Sequence, residues 1–161
     1  MKKFFLLTSI LAIFALFNAA QAQKTLPKFS FFDLAGNTFT YANLKTGVPT
    51  IVFFYDPYCE HCNLQAEWIS NSYIRVKGMN LVWVSTEEVA PINEFKRNHF
   101  SKNPTQTWDK LFFLRDSGFK FDNYFGYTEA PGIYVYDKNG VLVKDFRKET
   151  PTSDLLKPLG L

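Results

Sequence analysis

The chain of 161 residues has two cysteines and two histidines, and three of the four lie together in Asp56-Pro57-Tyr58-Cys59-Glu60-His61-Cys62-Asn63. A Cys-x-x-Cys pair with an acid and an imidazole between its thiols fits four chemistries: haem attachment, half a zinc site, a structural disulfide, or a dithiol–disulfide redox couple. Covalent haem attachment uses Cys-x-x-Cys-His, and Asn63 stands where that histidine is needed. Structural zinc takes four ligands, usually from two such pairs. Here His61 would have to bind from between the cysteines, and His99 is remote in the chain, so no metal is expected. A bridge of this spacing closes a tiny loop and removes little entropy from the unfolded chain, which disfavours a purely structural role. The redox couple is the reading that remains.

The elements around the pair support it. Thr50 to Tyr55 (TIVFFY) is a continuous β-rich apolar run, the pattern of a strand buried on both faces of a sheet, and Pro57 ends it. From Cys59 or Glu60 to about Lys77 the pattern is helical, with Cys62, Ala66, Ile69, Tyr73 and Val76 at spacings of three and four, closed by Gly78. The pair therefore falls between the end of a buried strand and the start of a helix, where α/β sheets place their sites. Cys59 at a helix N-terminus faces unpaired N–H groups and the positive end of the helix dipole, which favours a thiolate. Cys62 lies three residues on, on the same helical face. The expected division of labour is Cys59 as nucleophile and Cys62 as the resolving thiol of one redox disulfide. A protonated His61 favours the Cys59 thiolate, whereas Glu60 opposes it while suiting a helix start. Both are expected to tune the site.

Further along, Phe29 to Leu34 and Thr38 to Tyr41 read as strands around Gly36-Asn37. Leu81 to Ser85 reads as a second buried strand, and Pro91 to Phe100 as a helix with His99 as a helix-end residue. Leu111 to Leu114 is a short strand, and Ser117 to Phe125 an aromatic helix stopped at Gly126. Ala130-Pro131-Gly132 is a sharp break. Ile133 to Tyr136 and Val141 to Phe146 flank Asn139-Gly140, a hairpin signal. Thr152 or Ser153 caps a last helix, Asp154 to Leu159. The cluster Phe112, Phe113, Phe119, Phe121, Tyr124, Phe125 and Tyr127 is expected to serve mainly as core. The order βαβα, break, hairpin, helix predicts one α/β domain with a mixed sheet and helices on both faces.

Lys2 and Lys3, the apolar run Phe4 to Phe17 and Ala20-Gln21-Ala22 have the layout of a secretory signal cleaved near Ala22-Gln23. The expected organisation is residues 1–22 as signal peptide and 23–161 as the domain, located in a periplasm. An uncleaved membrane anchor is the less favoured alternative, because the run is short for the ~30 Å bilayer core. Outside the cytosol a disulfide persists. Without Lys2 and Lys3 the 18 basic side chains fall to 16 against 15 acidic ones, leaving no electrostatic case for nucleic acid or anionic membrane.

FSFFDLAGNTFTYANLKTGVPTIVFFYDPYCEHC, Ala130-Pro131 and GIYVYDKNGVLVKDF together resemble the thioredoxin fold and, within it, the exported thiol–disulfide oxidoreductases of the TlpA/ResA type, over essentially the whole mature chain. The resemblance implies a thioredoxin-like fold, with a mixed central β-sheet flanked by helices and an N-terminal β extension. It also implies a cis bond at Ala130-Pro131, with that loop facing the Cys pair and meeting substrate. The implied partners are protein thiols and disulfides and an upstream electron donor or acceptor, with no cofactor and a monomeric chain. Three positions depart from the pattern. Phe53 replaces the buried acid of thioredoxins, Gln65 replaces a glutamate frequent after the second cysteine, and Tyr58 replaces the usual tryptophan. Proton transfer at Cys62 then falls to Glu60, Glu67 or water. Two rival readings are a peroxiredoxin-like peroxidase, for which the Pro, Ser/Thr and Arg context is poor, and an exported metal chaperone.

Overall fold

Thr50–Phe54 is apolar but for its first residue, and in the computed structural model, which describes residues 24–127 and 129–161, all five positions are buried. A strand covered on both faces needs neighbours on both edges. It pairs in parallel with Asn80–Ser85 and antiparallel with Gly132–Tyr136. In chain order the strands are β1 (Ser30–Asp33), β2 (Thr38–Thr40), β3 (Thr50–Phe54), β4 (Asn80–Ser85), β5 (Leu111–Arg115), β6 (Gly132–Tyr136) and β7 (Leu142–Phe146). The helices are α1 (Glu60–Asn71), α2 (Tyr73–Val76), α3 (Val89–Phe100), α4 (Phe121–Phe125) and α5 (Thr152–Leu156). The seven strands form one mixed sheet in the order β2-β1-β5-β4-β3-β6-β7.

Alternation along the strands divides the core in two. Ile51, Phe53 and Tyr55 of the β3 segment join Leu81, Trp83, Ile133 and Val135 on one face, under Cys62, Ala66 and Ile69 of α1, Ile92, Phe95 and Phe100 of α3, and Leu155 and Leu156 of α5. Val52, Phe54, Val82, Val84, Tyr134 and Tyr136 face the other way, onto Phe29, Phe31, Leu44 and Phe121. Phe53 stacks on Trp83 with ring centroids 4.1 Å apart. The predicted thioredoxin-like sheet with helices on both faces and an N-terminal β extension is the fold observed. The proposed signal peptide, residues 1–22, lies outside the described residues. No helix among the described residues is long and apolar enough to cross a membrane.

Four local expectations need correction. The helix predicted to run to about Lys77 is broken at Ser72 (φ −97°, ψ 20°) into α1 and α2. Asn71-Ser72 is a weak helix-forming pair, and outside groups draw on carbonyls of the last turn: the Thr152 hydroxyl donates to Trp68 O (2.9 Å) and Gln106 Nε2 to Ser70 O (3.4 Å). Helix α4 starts only at Phe121. The buried Asp116 carboxylate accepts from the Lys120 and Phe121 amides, holding residues 117–120 as a turn with Phe119 at φ 51°. That turn leaves Phe119 exposed rather than in the core. Finally, Pro151 caps α5, because the Thr152 hydroxyl is engaged at Trp68. The β6–β7 hairpin forms where predicted, its loop closed by Asp137 Oδ1 accepting from the Asn139 and Val141 amides and by Gly140 at φ 77°.

Candidate redox site

The loop between β3 and α1 is self-bracing. Asp56 Oδ1 accepts from the Tyr58 amide (2.8 Å) and the Asp56 carbonyl from the Cys59 amide (3.1 Å), forming a tight turn through Pro57. Cys59 is the N-cap of α1, with extended backbone, and its carbonyl accepts from the Cys62 and Asn63 amides at 3.1 and 3.0 Å. Helix geometry then separates the thiols by environment. Cys59 is half-buried at the helix mouth, whereas Cys62, one turn on, is fully buried. Both are free, and Cys59 is close enough to act on the Cys62 thiol. Burial pushes the Cys62 thiol well above the usual range, with the Asp56 backbone N–H working the other way and Cys59 adding to the rise. At neutral pH Cys62 is therefore a protonated thiol behind Cys59.

Strand β6 brings the second component. Phe54 pairs with Gly132, so Ala130-Pro131 arrives beside the chain leaving β3. The Ala130–Pro131 bond is cis, Pro131 is buried, and Ala130 packs on the same core cluster as Cys59. The two segments that the sequence separates by some seventy positions thus meet at one end of the sheet.

The tuning residues divide. Tyr58 is 74% exposed and stands clear of the core. Glu60 is exposed in the first turn of α1. His61 turns towards the segment after β7, where Nδ1 lies 3.2 Å from Glu149 Oε1. Glu149 escaped the sequence reading because nothing in its local pattern links it to the Cys pair. Glu67, an expected proton-transfer candidate, is exposed and borders a polar cleft with His99 and Lys102, away from the thiols.

Gln65 is fully buried on the face of α1 that carries Cys62. Its Oε1 accepts from the Thr150 amide at 2.7 Å, which holds the loop into α5 against α1 and points Nε2 elsewhere. Among the described residues, the buried polar atoms without a protein partner include Gln65 Nε2, the Tyr55 hydroxyl and Trp83 Nε1. Tyr55 is close enough for the Cys62 charge to add to the effect of burial, which raises its phenol. The surroundings of Cys62 thus include the Tyr55 phenol and the Asp56 carboxylate, both of which disfavour its thiolate or gain from its neutrality. His99 was read as a helix-end residue. It does sit near the end of α3, but half-buried against Phe95, with Nε2 2.7 Å from Asn63 Oδ1.

A half-exposed thiol capping a helix, a buried partner one turn behind it and a cis-proline segment arriving at the same end of the sheet make up the candidate dithiol site of a thioredoxin-like fold. Comparison with known proteins agrees with this class. The AhpC/TSA family profile matches residues 22–145, and the chain belongs to that family, with a thioredoxin-like fold. Of the solved structures it resembles, DsbF from MTB (Mycobacterium tuberculosis), described in mixed oxidised and reduced forms, superposes with a TM-score of 0.68 at 21% identity, covering 86% of this chain and 98% of that one. A secreted disulfide oxidoreductase of M. tuberculosis, homologous to E. coli DsbE, gives 0.65 at 19% identity, covering 83% and 96%. The peroxidoxin BcpB of the same organism gives 0.68 at 17% identity, covering 86% and 95%. At these identities the likeness is one of fold. None of the curated proteins matches the sequence.

Proposed function

We propose that this protein is an exported thiol–disulfide oxidoreductase that exchanges disulfides with protein thiols through Cys59 and Cys62. The observation that carries the reading is the asymmetry of the pair: Cys59 is half-buried at the N-cap of α1 and Cys62 is fully buried one turn behind it. In the reductive direction the Cys59 thiolate attacks one sulfur of a substrate disulfide, forming a mixed disulfide and releasing one substrate thiolate, which takes up a proton. Cys62 then loses its proton and attacks Cys59 Sγ. The mixed disulfide breaks, the second substrate thiol leaves with a proton, and the Cys59–Cys62 disulfide remains. Two electrons have passed to the substrate, and an upstream thiol donor returns them. Running the steps backwards oxidises a dithiol substrate.

The arrival of Ala130-Pro131 beside the chain leaving β3 supports a role in aligning an extended substrate segment near Cys59. His61 and Glu60 tune the thiolate from the helix mouth, with Glu149 holding the imidazole. The Lys2-Lys3, apolar and Ala-Gln-Ala sequence supports export with cleavage near Ala22-Gln23 into a periplasm-like space. The secreted DsbE homologue among the similar structures is consistent with that setting.

Three measurements test the reading. Cys59→Ser is expected to abolish turnover of a protein disulfide, whereas Cys62→Ser traps a mixed disulfide visible on a non-reducing gel. Full turnover by Cys59→Ser sinks the proposal. Equilibration with glutathione gives the reduction potential: about −270 mV marks a reductase and about −120 mV an oxidant. The N-terminal mass of the exported protein tests cleavage.

The likeness to BcpB supports a second reading as a thiol peroxidase. Two arginines are engaged elsewhere, Arg115 at Glu87 and Glu88 and Arg147 at Tyr134 and Asp145, which leaves neither for an anionic peroxide transition state beside Cys59. Thiol-dependent peroxide consumption distinguishes the two.

A further inference from the structure

Asn63 follows the Cys pair and, in the sequence, merely excludes haem attachment. In the structure its side-chain amide spans the back of the redox loop: Nδ2 donates to the carbonyls of Pro57 (3.0 Å) and Cys59 (2.8 Å). These acceptors lie on either side of Tyr58, so one amide group clasps both ends of the turn that presents Cys59. Two carbonyl acceptors settle which end of the amide is the NH2 group. Oδ1 therefore faces away from the turn, and His99 Nε2 lies 2.7 Å from it. Oδ1 is an acceptor, so Nε2 carries the proton, and Nδ1 is the nitrogen that gains or loses one.

We propose that His99 and Asn63 are positioning residues of the redox site. Nε2–H of His99 locks the Asn63 amide in the orientation that holds the Pro57 and Cys59 carbonyls, and so fixes the turn that exposes the Cys59 sulfur. Without that lock the amide is free to rotate, and its flipped form sets an oxygen against two carbonyl oxygens. The clasp then opens, and the N-terminal amides of α1 lose their fixed aim around Cys59. The lock itself is well anchored. His99 is half-buried, its ring lies 4.7 Å from that of Phe95, and Phe95 packs in the core beneath α3.

The lock is independent of His99 protonation, because Nε2–H is present in the neutral tautomer and in the cation. Charge is the separate variable. The charged groups facing the imidazole are Glu67 from α1 and Lys102 from the loop after α3, and α3 adds only the rings of Phe95 and Phe100. Burial, reinforced by Lys102, favours the neutral ring, with Glu67 opposing.

The inference rests on the redox reading of the pair, and its test keeps the two apart. In the reduced full chain Cys62 is buried, so iodoacetamide reads Cys59 alone, with no substrate protein involved. Loss of a hydrogen bond of ordinary net strength corresponds to roughly a two- to tenfold effect. His99→Ala and Asn63→Leu are each expected to slow Cys59 alkylation at pH 7 by about that factor. Each is also expected to shift the glutathione equilibrium towards the intramolecular disulfide. His99→Gln keeps an N–H at the same reach and is expected to restore both values. His99→Phe preserves the packing on Phe95 and is expected not to. Thermal unfolding of every variant checks that the fold is intact. The proposal is overturned if His99→Ala and Asn63→Leu retain the parent alkylation rate and equilibrium. It is also overturned if the Gln and Phe variants are indistinguishable while only the melting temperature moves. Failure of the unaltered protein to form a reversible intramolecular disulfide sinks the redox reading instead, and the alkylation series still decides the His99 lock.

Discussion

Cys59 and Cys62 are chemically identical side chains made unequal by one helical turn. The first caps α1 and meets solvent, and the second points into a core cluster that includes Phe53, Tyr55 and Trp83. The same burial acts on Gln65. Gln65→Glu retains an acceptor for the Thr150 amide but introduces a carboxylate with no solvent and no cation recorded beside it. Burial raises such a group, so the fold binds its proton more tightly than the unfolded chain does. Stability is then intact below the ordinary glutamate range and falls as pH rises through about 4.3 towards the folded value. Urea titrations at pH 4 and pH 7 are expected to show a larger gap between Gln65→Glu and the parent at pH 7. His99 has the opposite sign. Its folded form prefers the neutral ring, so below about pH 6.5 the unfolded chain binds more protons and stability drops. The melting temperature of the parent is expected to fall further than that of His99→Gln between pH 7 and pH 5. Equal falls would assign the acid sensitivity to other groups.

At the scale of elements, α1 works as a platform held by attachments from outside segments. The α5 entry loop reaches it through Thr150 at Gln65, Thr152 at Trp68 and Glu149 at His61, while α3 reaches it through His99 at Asn63. The contacts on the last turn, Thr152 at Trp68 and Gln106 at Ser70, explain why α1 ends at Asn71 although the apolar spacing continues to Val76. The Thr152 hydroxyl is buried and holds a carbonyl of the last turn. Thr152→Val keeps the shape and removes that bond, at an expected cost of about 1 kcal/mol in urea unfolding. Unchanged stability would show that the Trp68 carbonyl finds another donor without loss. The redox equilibrium with glutathione is expected to stay at the parent value, because the contact lies two turns from Cys59.

For the whole molecule, the sheet order places β3 at the centre of chemistry and packing alike. One end delivers the Cys59 turn and the neighbouring β6 delivers Ala130-Pro131, while its side chains build both cores. Phe53 occupies the position where thioredoxins carry a buried acid, and here it stacks on Trp83. Phe53→Asp would set an unpaired carboxylate among aromatic rings. That is expected to cost upwards of about 3 kcal/mol at pH 7, with recovery as pH falls from the raised folded value towards about 4, below which the unfolded chain also takes up the proton and the gain stops. A variant as stable as the parent at pH 7 would mean that water or a cation reaches the site. In this protein the acid's place has been given to core packing, and the titratable groups that act on Cys62 are Cys59, Asp56 and Tyr55.

Local pattern carried a good deal of this. An apolar run that ends in Pro57 and turns into a helical repeat made β3, α1 and the position of the Cys pair legible, because strand and helix periods report which way each side chain points within its own element. The Asn139-Gly140 signal located the β6–β7 turn for the same reason. What periodicity does not report is which element covers which. The partners of His61, Gln65 and Asn63 are Glu149, Thr150 and His99. Thr150 is 85 positions from Gln65 and His99 is 36 from Asn63. Those meetings depend on the sheet order and on the path of the loops into α3 and α5, so only the tertiary structure decided them. The sequence by itself determined that two thiols sit at a strand–helix junction with separate expected roles. The packing of α3 and the α5 loop onto α1 decided what holds that junction in place, because hydrogen bonds between distant segments exist only once the core has brought the segments together.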